Sequence, residues 1–467
     1  MESHPDRSGI VALPDGRDAF AARALLADAA ERTLDVQYYI WHNDMSGTLL
    51  FAALRRAADR GVRVRLLLDD NNTVGLDAVL AALDAHANIE VRLFNPFKLR
   101  RWRLLGYLTD FTRLNRRMHN KSFTADGQAA IIGGRNVGDE YFDAGQAPWF
   151  VDLDVLAIGP VVAEVSRDFE RYWTSASSTP AARVLPRATA ASLAGVAADA
   201  ARVERHPDAT AYIEALATSP FVRDLLARRL TFDWAATRMV SDDPAKGLGH
   251  APEDSLLWHR LREMLGASMR ELRLVSPYFV PGSAGVEALA AIAGQGVKIT
   301  VLTNALEATD VAAVHAGYAK RRKSLLAAGV ALFELKRASS RRSPTRAKWT
   351  GGSGSGSSAS SLHAKTFSVD RSRVFIGSFN FDPRSARLNT EMGFVIDSPA
   401  LADELARRFA DEVPTRSYQV RLGHGGKLHW IDRNEGAEVV HEHEPGTDVW
   451  RRLTVALLSV LPIEWLL

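Results

Sequence analysis

Two histidines in this chain are each followed, at identical distances, by the same set of polar residues. The first run is His119-Asn-Lys121-Ser-Phe-Thr-Ala-Asp126, then Gly133-Gly134-Arg-Asn136. The second is His363-Ala-Lys365-Thr-Phe-Ser-Val-Asp370, then Gly377-Ser378-Phe-Asn380. A single short motif proves little, but two copies in matched register point to a duplicated site. On extended chain, residues two apart share a face, so His119 projects with Lys121 and His363 with Lys365. Two imidazoles, two ammonium groups and the amides of Asn136 and Asn380 make a pocket for an anion with several acceptor oxygens, and phosphate is the obvious one. One imidazole can attack phosphorus while the other protonates the leaving oxygen and then deprotonates an incoming nucleophile. That chemistry needs no metal and no cofactor, and none is expected. Asp126 and Asp370 complete the two motifs and join the candidate catalytic set. Asp126-Gly127 is also a favourable hairpin turn, and Asp370 can act in the same way.

A catalytic histidine needs a partner that sets its tautomer. Two runs after the motifs, 152–160 and 391–399, end in Gly-Pro and Ser-Pro. Aligning those ends sets Asp152 opposite Glu391, and these two are the expected orienting carboxylates.

The elements that must carry these side chains repeat as well. Periodicity predicts a helix over 19–30, a strand over 33–41, a helix over 47–60, a strand over 62–68, a helix over 76–85 and a strand over 89–94. The order returns as a strand over 272–277, a helix over 285–293, a strand over 297–303, a helix over 311–328 and a strand over 330–335. Arg60-Gly61-Val62 and Gln295-Gly296-Val297 fall at equivalent helix-to-strand turns. The expected fold is α/β: two homologous halves, each a mixed sheet sandwiched by helices, with the active site at their interface. The first half is 1–185 and the second 246–448. Between them 186–245 reads as an alanine-rich helical connection, and 449–467 as an amphipathic C-terminal segment. The Gly/Ser-rich stretch 339–361 reads as a flexible polar loop bordering the second motif.

At 467 residues the chain exceeds one ordinary core, and 46% apolar with 24% charged residues suits a folded protein. Without cysteine, disulfides, thiolate nucleophiles and cysteine-based zinc sites are excluded. The polar N-terminus suggests no signal peptide, and no stretch reaches the roughly 18 to 20 apolar residues that span a bilayer. A cytoplasmic protein held on a membrane surface is the expectation. Segment 98–117 interleaves bases with Trp102, Leu104, Leu105, Tyr107, Leu108 and Phe111. Such a mixture suits an anionic membrane surface. It also suits single-stranded nucleic acid, but lipid is favoured and no nucleic-acid partner is expected.

The doubled motif resembles that of the phospholipase D superfamily, in which each half supplies one His-x-Lys-x4-Asp. That resemblance implies a covalent phosphatidyl-histidine intermediate, with His119 the nucleophile and His363 the general acid. Further runs, among them Asp35-Val-Gln-Tyr-Tyr-Ile-Trp41 and Gly377-Ser-Phe-Asn-Phe-Asp-Pro-Arg-Ser385, are similar to bacterial cardiolipin synthases of the C type over essentially the whole chain. This implies phosphatidyl transfer to phosphatidylglycerol, with phosphatidylethanolamine as donor, at the cytoplasmic face of the inner membrane. Spacing alone does not separate that donor from a second phosphatidylglycerol, nor transfer from hydrolysis to phosphatidic acid or from a metal-independent nuclease.

Overall fold

The computed structural model describes residues 4–144, 150–265, 269–309, 311–337, 361–434, 437–461, 464 and 467. The first half begins with β1 (Ser8–Leu13), α1 (Gly16–Ala29), β2 (Thr33–Tyr38), α2 (Met45–Asp59), β3 (Arg63–Asp69), α3 (Asp77–Asp84) and β4 (Ile89–Phe94). It continues with α4 (Arg103–Leu114), β5 (Ser122–Ala125), β6 (Ala129–Gly133), β7 (Phe150–Val151), β8 (Asp154–Ile158), α5 (Pro160–Trp173) and β9 (Ser178–Pro180). Helices α6 (Ala190–Glu204), α7 (Pro207–Ala217) and α8 (Pro220–Leu226) then lead to β10 (Asp233–Ser241).

The second half runs α9 (Leu257–Leu265), β11 (Glu271–Val275), α10 (Gly282–Gly294), β12 (Lys298–Asn304), α11 (Ala312–Ala319), α12 (Arg322–Ala327), β13 (Ala331–Leu335), β14 (Ser361–Leu362), β15 (Thr366–Val369) and β16 (Arg373–Gly377). It ends with α13 (Pro383–Arg387), β17 (Met392–Asp397), α14 (Pro399–Arg416), β18 (Ser417–Leu422), β19 (Leu428–Asn434), β20 (Ala437–His441) and α15 (Val449–Val460).

Strand order makes the duplication visible. The first half reads β9-β4-β3-β2-β5-β6-β8-β1, with β2, β3 and β4 parallel and the other pairs antiparallel. The second reads β10-β17-β16-β15-β11-β12-β13-β18-β19-β20, with β11, β12 and β13 parallel. Thus β4-β3-β2-β5-β6-β8 corresponds to β13-β12-β11-β15-β16-β17. Strands β1 and β10 pair antiparallel, fusing both into one sheet of 18 strands.

The parallel strands are reached by crossover helices and so are covered on both faces, which is why Leu66, Leu67 and Leu68 run consecutively and are all buried. Gly61 and Gly296 both take positive φ, 98° and 84°, where a side chain would strain the turn. Each half has its own apolar core, the first around Leu50, Val64 and Val91 and the second around Val301, Leu332 and Phe375. A third core is shared: Ile132, Val155 and Val162 pack with Ile376, Phe394 and Leu401. It fixes the halves against each other beneath the two motifs.

Two expectations change and a third lies outside what is described. Segment 186–245 is helical only as far as Leu226. Its last part is β10, which lies between β1 and β17 and satisfies the polar edges of both. The predicted helix over 311–328 is two helices, α11 and α12, separated at Lys320 and Arg321. The Gly/Ser loop lies almost wholly outside the described residues. Among the described residues no helix is long and apolar enough to cross a membrane.

Candidate active site

His119 and His363 sit on extended chain just ahead of β5 and β15, not within those strands. Each is stitched by its backbone to the opposite half. The His119 N–H donates to Thr390 O at 2.9 Å, and the His363 N–H donates to Val151 O at 2.8 Å. The second contact continues the short parallel pairing of β7 with β14. The side chains cross the interface too. His119 Nδ1 lies 2.8 Å from Glu391 Oε2, and His363 Nδ1 lies 2.5 Å from Asp152 Oδ2. Each of these two histidines therefore takes its carboxylate from the other half.

With Nδ1 on a carboxylate, Nε2 is the nitrogen each ring presents for chemistry, that of His363 also meeting Lys365 Nζ at 3.1 Å. The lysines pack beside their own histidines: Lys121 Nζ donates to His119 O at 2.6 Å, and Lys365 Nζ lies 3.0 Å from His363 Nδ1. A tyrosine edge closes each ring. Tyr39 meets His119 at 4.9 Å between centroids, and Tyr141 meets His363 at 5.2 Å. The imidazoles are only 6% and 8% exposed.

Burial and the neighbouring lysines hold both imidazoles neutral. His119 is pushed well below the usual histidine range by burial, then by Lys121 and Lys365; His363 is pushed down to about 4 by burial and Lys365. Burial also lowers the Lys121 ammonium well below its ordinary value. The two carboxylates differ. Burial raises the Glu391 carboxyl to about 7. Burial acts in the same direction on Asp152 but is outweighed by His363 and Lys365, which hold its carboxyl below the ordinary range.

Asp152 and Glu391 are also supported differently. Gly134 leaves room for Asp152, whereas the equivalent Ser378 donates its hydroxyl to Glu391 Oε2. Behind Glu391, Lys246 Nζ donates to Asp242 Oδ2 at 2.8 Å, and the same oxygen accepts the Glu391 N–H at 2.9 Å. Arg384, at the start of α13, bonds Asn115 Oδ1 and O, and its charge bears on His119.

Asn136 Oδ1 accepts from the Ile40 N–H at 3.2 Å, leaving Nδ2 buried without a partner among the described residues. Asn380 likewise has Oδ1 buried and unpartnered. Asp126 and Asp370 are not brought to the histidines. Asp126 accepts the N–H groups of Glu31, Arg32 and Thr33 at the far end of β2. Asp370 accepts those of Arg270 and Glu271 at the start of β11. Both have positive φ, 54° and 51°, in the hairpin turns that follow β5 and β15. Their place in the candidate catalytic set gives way to a structural one: each ties its hairpin to the neighbouring parallel strand.

Tyr39, Tyr141, Ser378, Arg384, Asp242 and Lys246 did not figure among the sequence candidates. Ser378 and Arg384 stand in the run 377–385 and Tyr39 at the end of a strand-like run, so position offered some signal. Lys246 and Asp242 offered none, because Asp242 lies within, and Lys246 directly after, a segment read as helical. Among the described residues, only His42, Asp44 and Glu140 group as metal ligands could. Their contacts are internal: His42 Nδ1 meets Glu140 Oε1 at 3.1 Å, and Asp44 caps α2 through Gly47 N.

A family model described as "Cardiolipin synthase, PLD-like domain" matches residues 24–173 and 261–413, one segment in each half. Cardiolipin synthase C of Escherichia coli is 53% identical over 470 residues, covering 99% of this chain and 97% of that protein. Cardiolipin synthase A of Pseudomonas putida is 28% identical over 405 residues, 86% of this chain and 66% of the other. In fold, the chain is similar to the crystal structure of phosphatidylserine synthase from Haemophilus influenzae, with a TM-score of 0.61 at 12% identity, covering 98% of this chain and 95% of that one.

Proposed function

The chain belongs to the phospholipase D-like family of cardiolipin synthases, and from that premise we propose a specific reaction course for its two crossed histidines. It is an enzyme of phosphatidyl transfer that makes cardiolipin from phospholipid substrates. The donor is phosphatidylethanolamine and the acceptor phosphatidylglycerol. The His119 Nε2 lone pair attacks the donor phosphorus, and the bond to the ethanolamine oxygen breaks. That oxygen takes a proton from His363, and ethanolamine leaves. Phosphatidyl-His119 remains. A glycerol hydroxyl of phosphatidylglycerol then gives its proton to His363 and attacks phosphorus. The P–N bond breaks, cardiolipin departs, and both histidines are restored.

The observation that carries this reading is the crossed pairing of each Nδ1 with a carboxylate from the other half. It presents two Nε2 atoms of fixed tautomer. The division of roles follows from the carboxylates. An ionised Asp152 stabilises an imidazolium on His363, as a general acid requires. The lysines act on both rings, but Arg384 adds its charge against a proton on His119, as a nucleophile requires. A phosphodiester monoanion entering beside Lys121 and Lys365 offsets their charge and raises the proton affinity of His363. The Asn136 Nδ2–H, together with Asn380 and the lysines, holds the phosphate oxygens. Burial of both rings favours the glycerol hydroxyl over water in the second step. The enzyme works peripherally on the cytoplasmic face of the inner membrane, whose surface supplies the anionic acceptor.

The test is lipid mass spectrometry after incubation with vesicles of phosphatidylethanolamine and phosphatidylglycerol, together and separately. Cardiolipin and ethanolamine formed only from the mixture support the proposal. Cardiolipin from phosphatidylglycerol alone replaces the donor, and phosphatidic acid as the main product rejects transfer.

A further inference from the structure

Helix α4 is built inside out. Its polar groups turn toward the protein and its largest apolar groups toward solvent. Arg103 Nη1 donates to Asp70 O at 2.7 Å and Asn71 O at 3.2 Å, and Tyr107 OH donates to Asn71 Oδ1 at 3.0 Å. Just before the helix, Arg100 pairs with Asp70 and Asp77. At its end, Arg113 Nε bonds Asp110 Oδ2 at 2.7 Å, and Arg117 Nε beyond it bonds Asp69 Oδ2 at 3.2 Å. Leu104 and Leu108, one turn apart, are each 83% exposed, with Trp102 at 63% and Leu105 and Phe111 beside them. A soluble helix shows the opposite pattern. Contiguous exposed apolar surface of this kind marks an interaction site.

Its position ties it to the catalytic pocket. Asn115, the C-cap of α4, holds Arg384, whose charge acts on His119. At the other root, Asn71 anchors Tyr107, and Asn72 next to it donates to the carbonyl of Tyr39, the ring that closes over His119. The helix therefore flanks the His119 side of the pocket.

We propose that the outward face of α4 docks this enzyme on the lipid bilayer by inserting Trp102, Leu104, Leu108 and Phe111 among the acyl chains, and that its arginines take no part in that contact. The occupant follows from the substrates assigned under Proposed function, on which this inference rests: a buried phosphate site working on diacyl lipids must be brought to the interface where their phosphates lie. The paired arginines set the chemistry of docking. Arg100, Arg103, Arg113, Arg116 and Arg117 are engaged within the protein and leave Lys98, 4.0 Å from Asp110, as the exposed cation among the described residues of this segment, so attachment is carried chiefly by apolar insertion rather than by attraction to anionic lipid. The sequence expectation of a basic surface element is refined accordingly.

The experiment is flotation of the full chain, and of the double variant Leu104→Ser with Leu108→Ser, on phosphatidylcholine vesicles with and without phosphatidylglycerol, at low and high salt. Both leucines are solvent-exposed, so the fold tolerates the change. Turnover is followed in parallel on vesicles and on short-chain lipids kept monomeric. Wild type is expected to float with both vesicle types at both salt concentrations. The variant is expected to partition about tenfold less or worse onto both. Its vesicle turnover falls in step, with turnover of monomeric substrate unchanged. Equal flotation of variant and wild type overturns the inference. So does wild-type binding that needs phosphatidylglycerol and vanishes in salt, or a wild-type oligomer in solution that the variant dissolves. If monomeric lipids are not converted by wild type at all, the catalytic reading fails, and the flotation result still decides the docking face.

Discussion

Gly134 and Asp152 share one space: a Cβ on Gly134 would stand 2.1 Å from Asp152 Oδ1. The carboxylate that holds His363 is thus seated against a bare backbone. Gly134→Ala must push Asp152 off His363 Nδ1. Turnover is expected to fall about a hundredfold or more, since the imidazole loses its tautomer and its counter-charge. Stability should fall by only about 1–3 kcal/mol. Steady-state kinetics on a variant with normal circular dichroism checks this; near-normal kcat would mean that Asp152 does not orient His363.

The two histidines are expected to fail in different ways. His119→Ala removes the proposed nucleophile and should lower kcat by at least about a thousandfold with any donor. His363→Ala should be equally poor with phosphatidylethanolamine. With a phosphatidyl donor whose leaving group is a nitrophenolate, which needs no proton, it should regain the first step as a burst of nitrophenolate but not steady turnover, since the second step lacks its base. A phosphatidyl adduct on His119 should then accumulate and be visible by intact mass. If rescue follows His119→Ala instead, the roles are reversed.

Glu391 gives a pH signature. Its carboxyl is raised by burial from 4.5 to about 7. A raised carboxyl favours the protonated form on folding, so its contribution is complete below pH 4.5 and is lost as pH rises through 7. Glu391→Gln removes that loss. The stability of the variant relative to wild type should therefore improve between pH 5 and pH 8.5, by on the order of 2 kcal/mol. Urea unfolding at the two pH values tests it, and a difference that does not change with pH would rule it out.

Lys246 bears on Glu391 from behind its backbone and also donates to Ser385 O at 2.8 Å. Its ammonium bonds Asp242 behind the Glu391 backbone, and its charge favours the ionised carboxylate. Lys246→Met should move the titration assigned to Glu391 upward in the pH–rate profile. Above that pH, its kcat should approach the wild-type value. A uniform loss at every pH would indicate a purely structural role.

Asp126→Asn is the contrast. Burial raises the Asp126 carboxyl, and three backbone donors together outweigh it and hold the group below its ordinary value. That stability is present above pH 3.8 and is lost as pH falls. The variant should lose about 1 kcal/mol of stability at pH 7 while kcat stays within about twofold of wild type.

The doubled motif and the strand-helix alternation were legible because both are local and periodic. His119, Lys121, His363 and Lys365 could be found from spacing alone. Aligning the Gly-Pro and Ser-Pro ends even matched Asp152 with Glu391. It could not tell which histidine each serves, since that depends on how the halves meet. Strand β10 was hidden for a related reason: it follows three helices, and only β1 and β17 make it a strand. The motif aspartates were misplaced because strict spacing from a histidine does not distinguish a reacting group from one that fastens a hairpin. Basic segment 98–117 is ambiguous for the same reason, since composition records six arginines but not that Arg100, Arg103, Arg113, Arg116 and Arg117 are engaged within the protein.

The crossing of the pairs has a consequence for how such a protein can diverge. Were the two halves separate identical chains, the two histidine–carboxylate pairs would have to be copies, and every change in one would appear in the other. Joined in one polypeptide, they are free to differ, and they do: Asp152 beside Gly134 on one side, Glu391 beside Ser378 on the other. Fusion turns a symmetric pair of equals into a donor side and an acceptor side.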